Sequence, residues 1–252
     1  MGVLPHSAQL KSDVADYLSD AAAIAADLCG DLAKSDSFRA IFKITLATSV
    51  VLNELSVSET PKLTAASGIA RKIPVLICFG QTVAASTELR RLIEVSAWTL
   101  YFTDHPREWA ERVKSPRHAF ERDTLRPLAF AAHRELSYYL NYAAEVMTLE
   151  PSGLAANAIE DLKTQHGNLS GDVHPGETAV AGAPAPPVDD MSPGTLSRFM
   201  ERQRAICAAI AIAESAMFVS RFNALSPAGR GWFDWLVGKD RAKQLRSGPF
   251  GL

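Results

Sequence analysis

The chain has 252 residues, of which 47% are hydrophobic and 21% are charged, and its formal net charge is −2. This length and apolar content are typical of a globular protein that buries a substantial core in one or two domains. The nearly neutral charge excludes a general attraction to polyanions, so any contact with a nucleic acid would need a local basic patch.

The three cysteines, Cys29, Cys78 and Cys207, lie far apart within apolar helical patterns. This arrangement is typical of buried thiols rather than of disulfides or metal ligands, and it predicts a reducing, cytoplasmic location. The amino terminus lacks the basic region and the apolar core of a secretory signal. The most apolar windows, 73–86 and 205–220, are shorter than the roughly 20 residues that a membrane span requires. We therefore expect no contact with a membrane.

The first predicted helix covers residues 13–32. Its apolar positions recur with a period of 3.6 residues and so share one face, namely Val14, Tyr17, Leu18, Ala21, Ile24, Ala25, Leu28 and Leu32. A second helix is predicted to begin near Ser37, whose hydroxyl can cap the first turn, and to continue to Leu55. The β-branched residues of 48–51 leave a strand as the alternative there, but the longer pattern favours a helix.

Proline and small polar residues punctuate the next part of the chain. Residues 56–63 contain serine, threonine and proline and are predicted to form a loop. Pro74 is predicted to separate a short helix at 64–72 from a long helix that ends near Phe102, because proline disrupts the interior of a helix.

Further helix starts combine a capping residue with a nearby proline: Asp104 with Pro106, Ser115 with Pro116, Thr124 with Pro127, Ser152 after Pro151, and Ser226 with Pro227. Helices are accordingly predicted at 127–147, 153–166 and 195–225, with a short last helix around 232–236. No alternating strand pattern is present. The sequence thus predicts an all-α fold, a single domain over 1–252 that consists of a bundle of about seven or eight helices.

One long segment, 167–194, is rich in glycine and proline and does not fit a helical pattern. Long loops inside a domain are usually either functional or mobile. Residues 167–175 contain packing residues and turn residues, so we expect an ordered loop there, whereas 178–191 is predicted to be a mobile loop. The basic residues of 239–252 predict a flexible tail.

Arg126 and His133 are separated by six residues on one predicted helix, so their side chains project from roughly the same face, two turns apart. The pair resembles the motif of HEPN-type helical proteins, in which an arginine and a histidine pair across a dimer and cleave RNA without a metal. The resemblance implies that Arg126 stabilises the phosphorane charge while His133 transfers protons. It also implies a homodimer and an RNA substrate.

A broader resemblance rests on Glu88–Glu94 and Asp104–Trp109, followed much later by Leu169–Pro175. Together they resemble uncharacterised bacterial all-helical proteins, among them HEPN-like and abortive-infection groups, over about residues 85–240. The resemblance implies a helical fold and a cytoplasmic bacterial protein with a role in defence or stress. It implies no particular reaction.

A polar pocket is predicted around the long helix. Arg91 and Glu94 are three residues apart and can pair within the helix, while Glu88 and Arg91 offer a second pair. If the ordered loop folds over this helix, it brings Asp172 and His174 to the same place. A histidine between glycine and proline in a loop is typical of a binding site, so these four side chains, Arg91, Glu94, Asp172 and His174, are the candidate ligand-binding residues.

The sequence contains no metal-ligand spacing, nucleophile elbow or phosphate-binding glycine loop, so we predict no metal and no cofactor. The leading hypothesis is a cytoplasmic bacterial helical protein that binds a protein partner or a small ligand, as a defence or stress component. The alternative is a HEPN-like ribonuclease that acts as a homodimer without a metal.

Overall fold

The computed structural model describes residues 30, 32, 34–56, 61–106, 125–148, 152–173 and 191–247. These residues form helices and no strand, which confirms the predicted all-α class. In chain order the helices are α1 (Asp36–Leu55), α2 (Pro61–Cys78), α3 (Thr82–Asp104), α4 (Leu125–Met147), α5 (Leu154–Val173), α6 (Pro193–Met217), α7 (Val219–Asn223), α8 (Pro227–Val237) and α9 (Lys239–Ser247). Most of the first predicted helix and nearly all of the predicted mobile loop lie outside the described residues.

The start of α1 lies slightly earlier than predicted. Ser35, rather than Ser37, is the capping residue, because its backbone is extended and its hydroxyl accepts a hydrogen bond of 3.3 Å from the N–H of Phe38. The strand alternative at 48–51 is wrong, since these residues continue the helix and Thr48 donates its hydroxyl to the carbonyl of Ile44 at 2.8 Å.

The predicted helix break at Pro74 is also wrong, because Pro74 lies inside α2. A proline there lacks one backbone donor, which normally disfavours a helix interior. The helix nevertheless continues, since it buries Ile73 and Ile77 completely on the inner face of the bundle. Tertiary packing therefore outweighs the local preference.

The chain instead reverses at Gly80, whose φ of 65° favours glycine. The N–H of Gly80 donates to the carbonyl of Ile77 at 2.9 Å, and the N–H of Gln81 donates to the carbonyl of Leu76 at 2.9 Å. This pair of bonds is the Schellman motif, which satisfies the last carbonyls of a helix. The turn places α2 beside α3 and sets where α3 begins.

Helix α6 lies at the centre of the bundle and packs against α1, α3, α5 and α8, while α2 packs across α1 and α3, and α4 packs across α3 and α5. Residues 206–213 of α6 are buried and alternate between isoleucine, cysteine and alanine. The alanines let neighbouring helices approach closely, so α6 can be enclosed on several sides.

Helix α5 runs to Val173, so residues 167–173 are helical and the ordered loop predicted for them is wrong. Gly167 and Gly171 weaken a helix by about 1 kcal/mol each, which is why the sequence favoured a loop. Leu169 is fully buried on the inner face, and this burial favours continuation of the helix. Asp172 consequently lies in the last turn of α5.

The carboxyl-terminal region differs from its prediction in two places. Helix α6 ends at Met217 instead of continuing to residue 225, and the short α7 follows. Residues 239–247 form α9, not the flexible tail that we expected. Ala242 and Leu245 are buried against the rest of the bundle, and Arg246 pairs with Asp234 of α8. These contacts hold the basic segment in place.

Two glycine-to-alanine substitutions test the α2–α3 turn. Gly80→Ala forces a side chain into a left-handed conformation and should lower the free energy of unfolding by about 1 kcal/mol. The matched control is Gly68→Ala at an exposed site in the middle of α2, where an added Cβ meets no atom within 4 Å. It should raise stability by about 0.5–1 kcal/mol. Urea denaturation measures both, and equal effects would contradict the assigned turn.

Candidate functional site

Three polar side chains meet between α3 and α5. The Nε of Arg90 lies 3.1 Å from Nε2 of His166 and 3.2 Å from Oε1 of Glu94, and the histidine nitrogen lies 3.4 Å from the same carboxylate oxygen. The side chains of Arg90, Glu94 and His166 are 12%, 22% and 5% exposed. We call these three residues the α3–α5 cluster.

The hydrogen bonds of the α3–α5 cluster follow from the chemistry of its donors. Arginine Nε always carries a hydrogen, so it donates and the Nε2 of His166 accepts. Glu94 supplies the negative charge that Arg90 needs in a mostly buried place. The cluster is therefore an ion pair of Arg90 and Glu94 to which His166 is joined.

The structure differs in detail from the predicted pocket. It brings Glu94 into a polar cluster, but with Arg90 instead of Arg91, and Arg91 is exposed and pairs with Glu88 at 3.5 Å. The spacing of four residues between Arg90 and Glu94 is a sequence signal that predicts this ion pair. Asp172 lies in the last turn of α5, where its side chain is not described, and His174 lies outside the described residues.

His166 is the residue that sequence reasoning missed. It lies in α5, 76 residues after Arg90 in the chain, and it contacts Arg90 because α5 packs on α3. The position of His166 within the helical repeat of α5 does not mark it as a site residue. Only the packing of α5 on α3 shows which charged side chains it contacts. The predicted histidine, His174, was chosen for its glycine- and proline-rich surroundings.

A pocket lies next to the α3–α5 cluster, at the amino ends of α3 and α6. It has a volume of about 300 Å³, and its lining residues are Thr82, Val83, Ser86, Thr195, Arg198, Phe199 and Arg202. Ser86 and Arg90 are one turn apart on α3, so the pocket and the cluster adjoin along this helix. We call this cavity the amino-end pocket.

Two arginines define the electrostatics of the amino-end pocket. Arg198 and Arg202 are four residues apart on α6 and therefore share one face. Arg198 also donates to the hydroxyl of Thr195 at 3.3 Å. Among the described residues that line the pocket there is no aspartate or glutamate. The amino ends of two helices add partial positive charge. The pocket thus favours a negatively charged group.

A second polar group lies deeper, between α3 and α6. Glu214 is fully buried, and the hydroxyl of Ser96 donates to its Oε1 at 2.7 Å. Burial raises the pKa of the Glu214 carboxyl to about 8, and the hydrogen bond from Ser96 opposes part of this rise. Among the described residues, Oε2 of Glu214 has no hydrogen-bond partner. Glu214 is therefore mostly protonated at neutral pH.

The proposed catalytic pair of the ribonuclease alternative lies on α4. The backbone of Arg126 and His133 belongs to this helix, but their side chains fall outside the described part of the structure. Their helical position agrees with the predicted secondary structure. Their catalytic role stays a prediction.

The chain matches no protein family model, no curated protein and no solved structure. Within the described ranges, no helix has both the length and the hydropathy to cross a membrane. The same residues contain no group of three or more His, Cys, Asp or Glu side chains that could hold a metal ion.

A charge substitution tests the α3–α5 cluster. Glu94→Gln keeps the shape of the side chain but leaves Arg90 without its negative partner, and we expect it to lower the free energy of unfolding by about 2 kcal/mol. The control is Glu160→Gln, which removes the exposed pair with Lys163 on α5. Exposed pairs contribute about 0–1 kcal/mol. Urea denaturation measures both variants, and equal decreases in the free energy of unfolding would show that the cluster stabilises the fold no more than an exposed ion pair does.

The buried carboxyl predicts a pH dependence of stability. Between pH values near 4.3 and about 8, the unfolded chain releases the Glu214 proton while the folded chain keeps it. The contribution of Glu214 to the free energy of unfolding should therefore fall as pH rises, by roughly 1.4 kcal/mol per pH unit in that window. Glu214→Gln should remove this contribution, so its stability relative to the wild type increases with pH.

Urea denaturation of both proteins across that pH range measures the difference. Glu201→Gln, on the exposed side of the same helix, controls for the loss of one carboxylate. Parallel profiles for the wild type and Glu214→Gln would contradict a raised pKa at this site.

Proposed function

We propose that this chain is a ligand-binding helical protein whose amino-end pocket binds a small organic anion, such as a phosphate monoester or a carboxylic acid. One observation carries the proposal: Arg198 and Arg202 lie four residues apart on α6 and both line the pocket, together with the hydroxyls of Thr82 and Ser86 on α3. Two guanidinium groups on one helix face can bind the oxygens of a single anion.

The hydroxyls opposite the arginines fit the same ligand. Thr82 and Ser86 are four residues apart on α3, so both face the pocket across from α6. Ser86 is only 7% exposed, so it belongs to the inner part of the pocket wall. Hydroxyl groups donate to phosphate and carboxylate oxygens, and arginine binds the same oxygens in pairs.

Size and apolar lining restrict the rest of the ligand. A volume of about 300 Å³ is at the lower end of small-molecule sites. Phe199 and Val83 contribute an apolar surface beside the charged wall. These features favour a compact molecule with one anionic group and a small apolar body, and they disfavour a long polyanion.

The α3–α5 cluster supports the pocket from one side. Arg90 lies one turn beyond Ser86, and its link to His166 ties α5 to the same part of α3. This link limits rotation of α3 and thereby keeps Ser86 directed at the pocket.

A cytoplasmic location and a role in defence or stress remain part of this proposal, as does a protein partner.

The test is calorimetric titration of the purified protein with inorganic phosphate and, separately, with benzoate, which has one carboxylate and a small apolar body. Arg198→Gln and Arg202→Gln should each weaken binding by about 10- to 150-fold, since one charge-assisted hydrogen bond is worth about 1.5–3 kcal/mol. Arg204→Gln is the control, because Arg204 lies on the same helix but donates to the carbonyl of Trp235 at 3.1 Å. It should bind both anions like the wild type.

Two results would contradict the proposal. If neither anion binds, or if all three arginine variants lose affinity equally, the pocket is not a specific anion site. The ribonuclease alternative makes a different demand: cleavage of RNA without a metal that both Arg126→Ala and His133→Ala abolish. That outcome would replace the proposed function.

A further inference from the structure

The amino-end pocket lies between α3 and α6, and a second cavity lies elsewhere in the bundle, between α1 and α2. It has a volume of about 470 Å³, which is within the range of small-molecule sites. Apolar and hydroxyl side chains of both helices line it, together with Arg71. We call this cavity the α1–α2 groove.

One end of the α1–α2 groove is apolar and open. Phe42 on α1 and Val75 on α2 line it from its two sides, and they are 55% and 52% exposed. Phe38 and Pro74 extend the same apolar surface. An apolar group that enters the cleft removes both walls from water at once, so this end favours an apolar ligand.

The other end of the groove is polar. Five residues join Leu55 of α1 to Pro61 of α2, and so short a connection makes the two helices antiparallel. The late lining residues of α1 include Thr45 and Ser49, and these therefore lie beside the first lining residue of α2, Arg71. The phenylalanines of α1 come earlier in that helix and lie toward the opposite end of the groove.

Two groups at the polar end are suited to the oxygens of a carboxylate. Arg71 is exposed, and within the described ranges no carboxylate forms an ion pair with it. Ser49 is only 1% exposed, and among the described residues its Oγ has no hydrogen-bond partner. Arginine binds both oxygens of a carboxylate, and a hydroxyl donates to one of them. Because a buried hydroxyl without a partner is unfavourable, a ligand oxygen beside Ser49 would be stabilised.

The dimensions of the groove restrict the rest of the ligand. At 1.5 Å per residue, the lining positions span about 16 Å along α1, from 38 to 49, and about 10 Å along α2, from 71 to 78. A short alkyl chain that lies along the groove contacts both walls over this length. A flat protein surface would contact only the rim of such a cleft.

We infer that the α1–α2 groove is a second ligand site, which binds a medium-chain fatty acid or a similar carboxylate with a linear apolar tail. The tail lies between Phe42 and Val75, and the carboxylate contacts Arg71 and the hydroxyl of Ser49. The site does not depend on the amino-end pocket, so each can bind its ligand when the other does not. A second copy of the chain is the competing occupant.

The thiol of Cys78 reports whether the groove is filled, because Cys78 lines it and is partly exposed. Octanoate should slow the alkylation of Cys78 by iodoacetamide severalfold in the purified protein. Octanol has a similar tail without a charge and should slow it much less. Peptide mass analysis assigns the alkylated thiol, and the fully buried Cys207 should not react.

Four variants separate the contributions of charge, tail and site. Arg71→Gln should raise the octanoate concentration needed for protection about tenfold and leave the effect of octanol unchanged. The control is Lys72→Gln, which removes the neighbouring exposed charge on α2 and should behave like the wild type. Val75→Asp should abolish protection by octanoate, because it places a carboxylate beside the tail. Arg198→Gln alters the amino-end pocket and should leave protection of Cys78 unchanged.

Several results would overturn the inference. If octanoate gives no protection, or if octanol protects equally and Arg71→Gln has no effect, the groove does not recognise a carboxylate with an apolar tail. Loss of protection in Arg198→Gln would assign the octanoate to the amino-end pocket instead. Alkylation that slows as the protein concentration rises, without any ligand, would show that a second copy covers the groove.

Discussion

The burial of α6 requires hydrogen bonds to its polar side chains from neighbouring helices. Gln203 and Glu214 are fully buried in a helix that is otherwise lined by alanine and isoleucine. A buried polar group without a hydrogen bond costs about 1–3 kcal/mol. The Nε2 of Gln203 donates to the hydroxyl of Thr45 on α1 at 3.0 Å, and Ser96 on α3 donates to Glu214 at 2.7 Å. These two bonds lie at opposite ends of the buried part of α6 and set how α1 and α3 align with it.

Helix α3 connects the core to the candidate site. Its inner face packs on α6 through Ser96, its side face holds Arg90 and Glu94 against His166 of α5, and its first turn lines the amino-end pocket. Helix α3 thus has polar contacts with both α5 and α6, and its first turn is part of the pocket wall. Arg198 and Arg202 belong to α6, and the later residues of the same helix are buried in the core. Site and core are consequently parts of one packing arrangement.

Local sequence signals predicted the helices well where caps and periodicity agreed. The hydroxyl of Ser226 accepts a hydrogen bond from the N–H of Gly229 at 3.0 Å, and α8 starts there as the serine–proline pair predicted. The same signals failed at Pro74, at residues 167–173 and at residues 239–247. In each case the local residues disfavour a helix or an ordered segment, and buried side chains such as Ile77, Leu169 and Leu245 outweigh them. Burial depends on which helices lie opposite, and a single sequence does not contain that information.

The candidate site was likewise predicted in part from the sequence, and the rest depends on how the helices pack. The sequence alone determined the all-α class, the amphipathic faces and the presence of charges inside the long helix, because these follow from residue type and a period of 3.6. It also drew attention to Glu94. The Arg90–Glu94 pair follows from a spacing of four residues on one helix. Only the tertiary structure decided that His166 joins this pair, and that Arg198 and Arg202 line the same pocket as Thr82 and Ser86. The physical reason is that these contacts join residues far apart in the chain, and their distances depend on how whole helices pack.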